Sequence, residues 1–399
     1  MKKNLYDICI VGGLGHVGLA LGISLSQSGK QVVLYDINQK AIDTVSKGEM
    51  PFMEFGAEDA LKNVLGRNLS LSSDRLSISD SYFVIVVIGT PVDEHLNPEF
   101  EVFKKFFSEI IDYLKDEQHI ILRSTVFPGT TEKIKEFLRS NGKQTKVSFC
   151  PERIAQGKAM EELRSLPQIV ASFDETSFQE AKKLFLSLTD DVIYLEPLEA
   201  ELAKLFTNSW RYIQFAISNQ FYQIATQSGV DFFRIYNALR YNYPRTQGFC
   251  GAGFSAGPCL LKDTMQLAAY CNNTFFLGHS AMLINEGLPN FIIQRLKEKY
   301  PLKDNVVGIL GMAFKGDSDD PRESLSYKLK KILEIEAKKV LCTDPFVKDD
   351  KLVSLEEVIA NSEILILGAP HSVYKQKKAA FSSKIVVDIW NFFEKGGYF

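Results

Sequence analysis

Leu5-Tyr6-Asp7-Ile8-Cys9-Ile10-Val11-Gly12-Gly13-Leu14-Gly15-His16-Val17-Gly18 is the stretch from which the fold can be read. The apolar run to Val11 predicts a strand, and Gly13-x-Gly15-x-x-Gly18 predicts a tight turn into a helix. Val17, Leu19, Ala20, Leu21, Ile23 and Leu25 continue at helical spacing to Ser28-Gly29, where glycine suits the left-handed closing residue. Gln31 to Tyr35 then reads as a strand ending at Asp36. Strand, glycine turn, helix, strand is a βαβ unit and predicts a parallel sheet. In that setting Gly13 permits the turn, Gly15 lets a pyrophosphate approach the backbone, and Gly18 lets helix and strand pack closely. The helix start, with His16 and Val17 in its first turn, supplies N–H groups to phosphates. Asp36 is placed to accept from a ribose hydroxyl and to repel a 2′-phosphate, so the expected cofactor is NAD rather than NADP.

Working outward, Tyr82 to Ile88 is a continuous apolar run of the kind buried on both faces of a parallel sheet, and it ends at Gly89-Thr90-Pro91. His119 to Leu122 ends at Ser124-Thr125, and Val147 to Phe149 ends at Cys150-Pro151-Glu152-Arg153. Ligand crevices in open α/β sheets lie beyond strand C-termini, which makes these three endings candidate site loops. From Leu198 the texture changes. Leu202, Leu205, Phe206, Trp210, Ile213, Ile217, Phe221 and Ile224 repeat at three and four with no glycine until Gly229, which predicts one long helix. Its apolar girth points to burial against a second subunit. A Gly-, Tyr- and Pro-rich loop from Tyr241 to Pro258 follows, and helices resume to about Tyr300. A second α/β block begins at Asn305, with strands at Val306 to Leu310, Lys339 to Cys342, Ile364 to Leu367 and Ile385 to Asp388. It lacks a Gly-x-Gly-x-x-Gly. The expected architecture is therefore α/β, with two Rossmann-like doubly wound parallel-sheet domains joined by a long central helix. The expected divisions are residues 1–195, 196–300 and 301–399.

Composition narrows the function. The 399 residues are 45% apolar and 24% charged, with net charge −3, ordinary for a globular protein. That balance gives no electrostatic case for nucleic acid or an anionic membrane surface. No apolar run reaches the roughly 18 residues needed to span a bilayer. The two N-terminal lysines lead almost at once to Gly12-Gly13, unlike a signal peptide, and a cytoplasmic location is expected. The six cysteines form no Cys-x-x-Cys pair and the five histidines no His-x-x-x-His pair, so no metal site is expected. A cysteine that matters here acts alone.

Cys259 is the candidate. Gly251-Ala252-Gly253-Phe254-Ser255-Ala256-Gly257-Pro258-Cys259-Leu260-Leu261-Lys262-Asp263 presents it from a loop at a predicted helix start, beside a lysine. Both features favour thiolate, the nucleophilic form. On residues alone a small packed cysteine reads equally well, and Cys9, Cys271 and Cys342 fit that description better. Lys204 and Asn208 stand four apart on the long helix and project together, roughly opposite the apolar stripe. From spacing alone a solvated polar face accounts for them too.

Taken together these motifs resemble the nucleotide-sugar dehydrogenases of the UDP-glucose/GDP-mannose type. The resemblance rests on the fingerprint at Gly13, Ser124-Thr125-Val126-x-Pro128-Gly129-Thr130, Cys150-Pro151-Glu152-Arg153, Lys204 with Asn208, and the Cys259 loop. It extends to Gly311-x-Ala313-Phe314-Lys315 and Asp319-Asp320-x-Arg322-Glu323-Ser324. It implies oxidation of a sugar C6 alcohol to a carboxylate in two NAD-dependent steps, in a homodimer. It implies Cys259 as the nucleophile that captures the aldehyde, and Lys204 and Asn208 as stabilisers of the oxyanion. Asp263 would orient water or Lys204, Thr125 would help place that water, and Glu152 would serve as acid or base. Thr90 and Thr125 would touch the cofactor. Glu152, Arg153, Lys204, Asn208, Gly257, Lys315 and Arg322 would contact the sugar nucleotide, and Arg245 would be contributed by the dimer mate.

The family's Gly-Gly-Ser or Gly-Gly-His before the cysteine is Ala256-Gly257-Pro258 here, and Gln156 stands where a second acid is common. Lys262-Asp263 sides with the glucose type, so UDP-glucose is the expected substrate. The alternatives are the same chemistry on a UDP-N-acetylhexosamine or GDP-mannose, a two-electron 3-hydroxyacid dehydrogenase, and a NAD-binding sensor without catalysis.

Overall fold

The computed structural model describes residues 4–89, 100–254 and 257–396, which form two compact units, 1–206 and 207–399. The first is built on an eight-stranded sheet of order β3-β2-β1-β4-β5-β6-β7-β8. Its strands are β1 (Tyr6–Val11), β2 (Val32–Tyr35), β3 (Leu69–Ser72), β4 (Ser81–Val86), β5 (His119–Leu122), β6 (Lys146–Phe149), β7 (Gln168–Ser172) and β8 (Val192–Leu195). The helix His16–Gln27 lies under β1 and β2 and is buried from Gly18 to Ser26. Its fit is close, since a Cβ at Gly22 would stand 2.5 Å from Leu34 Cδ2. Ile8, Ile10, Leu19, Leu21, Ile23 and Leu34 are fully buried there, each contributing roughly 1.5–3 kcal/mol by burial.

One step of this sheet differs from the parallel expectation: β7 runs antiparallel to β6. The connection between them holds only the seven-residue helix Ala159–Ser165.

The second unit carries a four-stranded, wholly parallel sheet, order β10-β9-β11-β12. Its strands are β9 (Val306–Leu310), β10 (Lys339–Thr343), β11 (Ile364–Leu367) and β12 (Ile385–Val387), as the sequence predicts. The helices before it share its core. Tyr222, Phe232, Phe254, Leu288 and Ile292 cluster with Val307, Ile309, Ile366 and Ile389, so the central helical segment and the second sheet are one body.

The long helix runs from Pro197 to Gln227. Its apolar stripe, read from sequence as a surface for a second subunit, is partly uncovered in the single chain, and polar residues share the buried side. The apolar stripe of Phe206, Trp210, Ile217, Phe221 and Ile224 is 41–60% exposed, whereas Asn208, Ser209, Ser218 and Asn219 are buried. Asn208 is therefore not on a solvated polar face. No helix among the described residues is long and apolar enough to cross a membrane.

Candidate active site

In the first unit the glycine turn is built as a phosphate cradle, with one correction to the roles of its glycines. The left-handed residue is Gly12, at φ +74°. Gly13 is needed for close approach, since a Cβ there would stand 2.8 Å from both Ile10 O and Leu34 Cβ. A Cβ at Gly18 would meet Gly12 O at 2.7 Å, so the helix can start only over bare backbone. Gly15 is exposed, and a Cβ there would come no closer than 3.6 Å to any neighbour. Asp36 Oδ2 accepts from Leu14 N at 3.0 Å, and Oδ1 accepts from Asn38 N at 3.0 Å. The carboxylate thus stands at the mouth of the turn and braces it. His16 stacks on Phe52 with ring centroids 3.9 Å apart, and Val17 is half-buried beside it. An open backbone at a helix N-terminus with an acid beside it fits NAD. Thr90 lies outside the described residues.

The loop after β5 holds Thr125, half-buried. It is tied down by two groups that sequence reading missed. Glu201, buried on the long helix, accepts from Gly129 N (2.5 Å), Thr131 N (2.8 Å) and Thr131 Oγ1 (2.5 Å). Burial raises its pKa against those hydrogen bonds. Lys204 follows three residues later, half-buried.

Arg123, fully buried, is the second. Its Nε and Nη2 donate to Glu152 Oε2 at 2.8 and 2.5 Å, Nη1 to Cys150 O at 3.1 Å and Nη2 to Gln168 Oε1 at 3.0 Å. Its guanidinium also lies over the Phe185 ring. Glu152 Oε1 accepts from Arg153 N at 2.7 Å and Ile154 N at 3.0 Å. All four lone-pair positions of that carboxylate are taken. The expected acid–base part for Glu152 finds no open oxygen, and the residue is an anchor for the loop after β6. Arg153 Nη2 donates to Pro167 O, and burial lowers its pKa.

In the second unit Cys259 is the exposed one of the six cysteines. It caps the helix Leu260–Tyr270, and its carbonyl accepts from Asp263 N at 2.9 Å. A helix N-terminus stabilises thiolate. Cys9, Cys150 and Cys342 are buried, which pushes their thiols up to about 12. Asp263, one turn into the helix, is 1% exposed and accepts from Asn208 Nδ2 at 2.5 Å. The cysteine loop is wedged between aromatic rings. A Cβ at Gly253 would fall 2.3 Å from Trp390, and one at Gly257, where φ is +111°, 2.6 Å from Phe314.

Arg322 lies across the segment after β9. Its Nε and Nη2 donate to the buried Asp320 carboxylate at 2.6–3.0 Å. Those bonds raise its pKa. Lys315 Nζ lies 5.5 Å from the Phe314 ring centroid. Arg245 stands apart from these, exposed, stacking on Tyr243 and lining a surface cavity of about 300 Å³ with Trp210, Ile217, Phe221 and Phe249.

Comparison with known proteins covers most of the chain. The NAD binding domain of the UDP-glucose/GDP-mannose dehydrogenase family matches residues 6–189, its central domain 198–286 and its UDP binding domain 308–395. A UDP-N-acetyl-D-mannosamine dehydrogenase of Pyrococcus horikoshii is 28% identical over 94% of this chain and 93% of its own. The solved UDP-D-ManNAc dehydrogenase of the same organism superposes with TM-score 0.89 at 27% identity, covering 96% of this chain and 95% of that one. A UDP-glucose dehydrogenase of Pyrobaculum islandicum, 22% identical with TM-score 0.88 and 98% of each chain covered, shares the fold.

Proposed function

Because the chain belongs to the UDP-glucose/GDP-mannose dehydrogenase family, and is thus an NAD-dependent nucleotide-sugar dehydrogenase, we propose that it oxidises the C6 alcohol of a UDP-N-acetylhexosamine to the carboxylate. The sugar replaces the UDP-glucose expected from Lys262-Asp263. It is supported by the relatives named for UDP-N-acetyl-D-mannosamine. The chemistry is carried by one observation: an exposed cysteine at a helix start, with a buried Asn208–Asp263 pair one turn on.

When bound, NAD would supply the hydride acceptor for both oxidations, and the hydroxyl proton lost in the first passes to solvent. Between them Cys259 Sγ adds to the aldehyde carbon, a C–S bond forms, and the carbonyl oxygen takes the electron pair. Lys204 and Asn208 stabilise that oxyanion, a cation and an amide donor one turn apart. Asp263 aims the Asn208 amide by taking one of its two N–H bonds. Loss of the second hydride from the thiohemiacetal carbon leaves a thioester. Water, whose orientation the family resemblance assigns to Thr125 and Asp263, then adds to the carbonyl and gives its protons to solvent. The C–S bond breaks, the thiolate returns, and the acid leaves as carboxylate. Lys315 and Arg322 supply positive charge to the diphosphate.

The exposed apolar face of the long helix supports a homodimer in which this face is covered and Arg245 reaches the partner's substrate. A cytoplasmic location belongs to the same reading. A panel of UDP-N-acetyl-D-mannosamine, UDP-N-acetylglucosamine, UDP-glucose and GDP-mannose, followed by NADH absorbance, tests the function. Turnover of an N-acetylated UDP-sugar supports it. Turnover of UDP-glucose alone overturns the sugar, and no turnover of any overturns the activity.

A further inference from the structure

The turn after β9, residues 311–317, is held by a buried pair that nothing in the proposed chemistry uses. Asp344, just past β10, accepts from the backbone N–H of Met312 (2.6 Å), Ala313 (2.9 Å), Phe346 (2.8 Å) and Val347 (2.9 Å). It accepts also from His371 Nε2 at 3.0 Å, and both side chains are 0% exposed. His371 Nδ1 in turn accepts from Asp317 N at 3.0 Å. With Nδ1 accepting, the ring proton sits on Nε2, facing the carboxylate. The two ends of the turn are thus fixed by one network, Met312 and Ala313 by Asp344, and Asp317 by His371.

The middle of the turn meets the cysteine loop. The Phe314 ring fills the space over Gly257, with Cδ2 2.6 Å from where a Cβ would stand. Gly257 N donates to Glu323 O at 3.5 Å, and Phe314 N to Asp320 O at 2.9 Å. Gly257 is two residues from Cys259. We propose that Asp344 and His371 are positioning residues for the nucleophile: by holding the turn at both ends they seat Phe314 on Gly257 and set how Cys259 is presented. This rests on the reading of Cys259 as nucleophile and adds two residues to its support. A buried carboxylate taking four backbone N–H bonds and an imidazole is a costly device for a turn of no consequence. The Phe314 ring occupies the space a side chain at Gly257 would need, so the loop's course depends on what lies over it.

The test is the rate of Cys259 alkylation by iodoacetamide in the folded protein, read peptide by peptide by mass spectrometry, with buried Cys342 in β10 as the control for local unfolding. Phe314→Ala, Asp344→Asn and His371→Ala each shift the Cys259 rate by about tenfold, the order of effect a misplaced reacting group produces, while His371→Gln, whose amide can still donate to Asp344, stays within about threefold of the parent. Cys342 stays unlabelled throughout. Should Asp344→Asn expose Cys342, Phe314→Ala, which alters a half-buried ring outside the network, carries the test by itself. Equal Cys259 rates in the parent and Phe314→Ala overturn the proposal, as does His371→Gln behaving like His371→Ala. Unchanged labelling with NADH still formed from a nucleotide sugar defeats the positioning role and leaves the function. Shifted labelling with no nucleotide sugar oxidised does the reverse.

Discussion

Asn208 Nδ2 donates a 2.5 Å hydrogen bond to Asp263 Oδ2 across 55 residues of sequence, with both side chains almost wholly buried. The bond joins the long helix to the helix that Cys259 caps. Asp263 Oδ1 has no hydrogen-bond partner among the described residues, and Lys262 Nζ stands 3.6 Å from it. The oxygen is thus charge-paired but makes no short hydrogen bond, and a reacting water is the donor the proposed chemistry would bring.

Asp263→Asn therefore lowers kcat by about a hundredfold while costing less than about 2 kcal/mol of stability, because the amide keeps the shape and removes the charge. Steady-state kinetics beside a thermal melt checks this. A variant that melts early and retains its kcat assigns Asp263 to the fold instead.

Asp36 both braces the glycine turn and faces the cofactor cradle. Asp36→Ala raises the NAD Kd by about tenfold or more, the loss of a charged hydrogen bond. Asp36→Asn, which can still accept from Leu14 N, loses less. Titration calorimetry with NAD separates the two, and equal affinities in all three proteins would remove Asp36 from the site.

Breaking the buried Arg123–Glu152 pair from one side leaves an uncompensated charge. Glu152→Gln or Arg123→Met alone costs about 3–5 kcal/mol, and the double variant recovers much of it. The signature is alkylation of Cys150, whose carbonyl Arg123 also holds: early in urea for the single variants and late for the double. A Glu152→Gln protein of normal stability that oxidises its substrate and fails to release the acid would restore the acid–base role.

Burial lowers His119 from 6.5 to about 4 against the opposing pull of Glu180. A base whose folded pKa is depressed contributes stability that is complete above its unfolded value and is lost as pH falls through the window from 6.5 to 4. The full loss is roughly 3 kcal/mol. Urea-dependent labelling of buried Cys9 reports unfolding of this unit. The midpoint at pH 5 falls below that at pH 7.5, and His119→Gln narrows the gap. An unchanged gap would assign the acid sensitivity to other groups.

The first βαβ unit and the four strands of the second sheet were legible in the sequence because their apolar runs and glycine turns are local signals. The short strands β3, β7 and β8 were not. Leu69–Ser72 alternates serine with leucine at a sheet edge, and the reversal of β7 against β6 leaves no mark in the periodicity of either strand. Cys259 and the Lys204/Asn208 spacing could be found as residue types in pattern. Which face of the long helix is buried could not, because Asn208, Ser218 and Asn219 turn inward to Asp263, Cys250 and Asn285 while Phe206, Trp210 and Phe221 face out. Arg123, Glu201, Asp344 and His371 went unread for a similar reason. A charged residue in sequence implies solvent, and only the folded neighbourhood shows it paired and dry.

The number of NADH formed per molecule of UDP-N-acetylhexosamine consumed, measured at completion in the parent and in Cys259→Ser, tests the capture of the aldehyde by sulfur most directly. The account predicts two NADH per sugar in the parent, and in Cys259→Ser a collapse of the second oxidation. One NADH per sugar in the parent, or two at undiminished rate without the thiol, contradicts it.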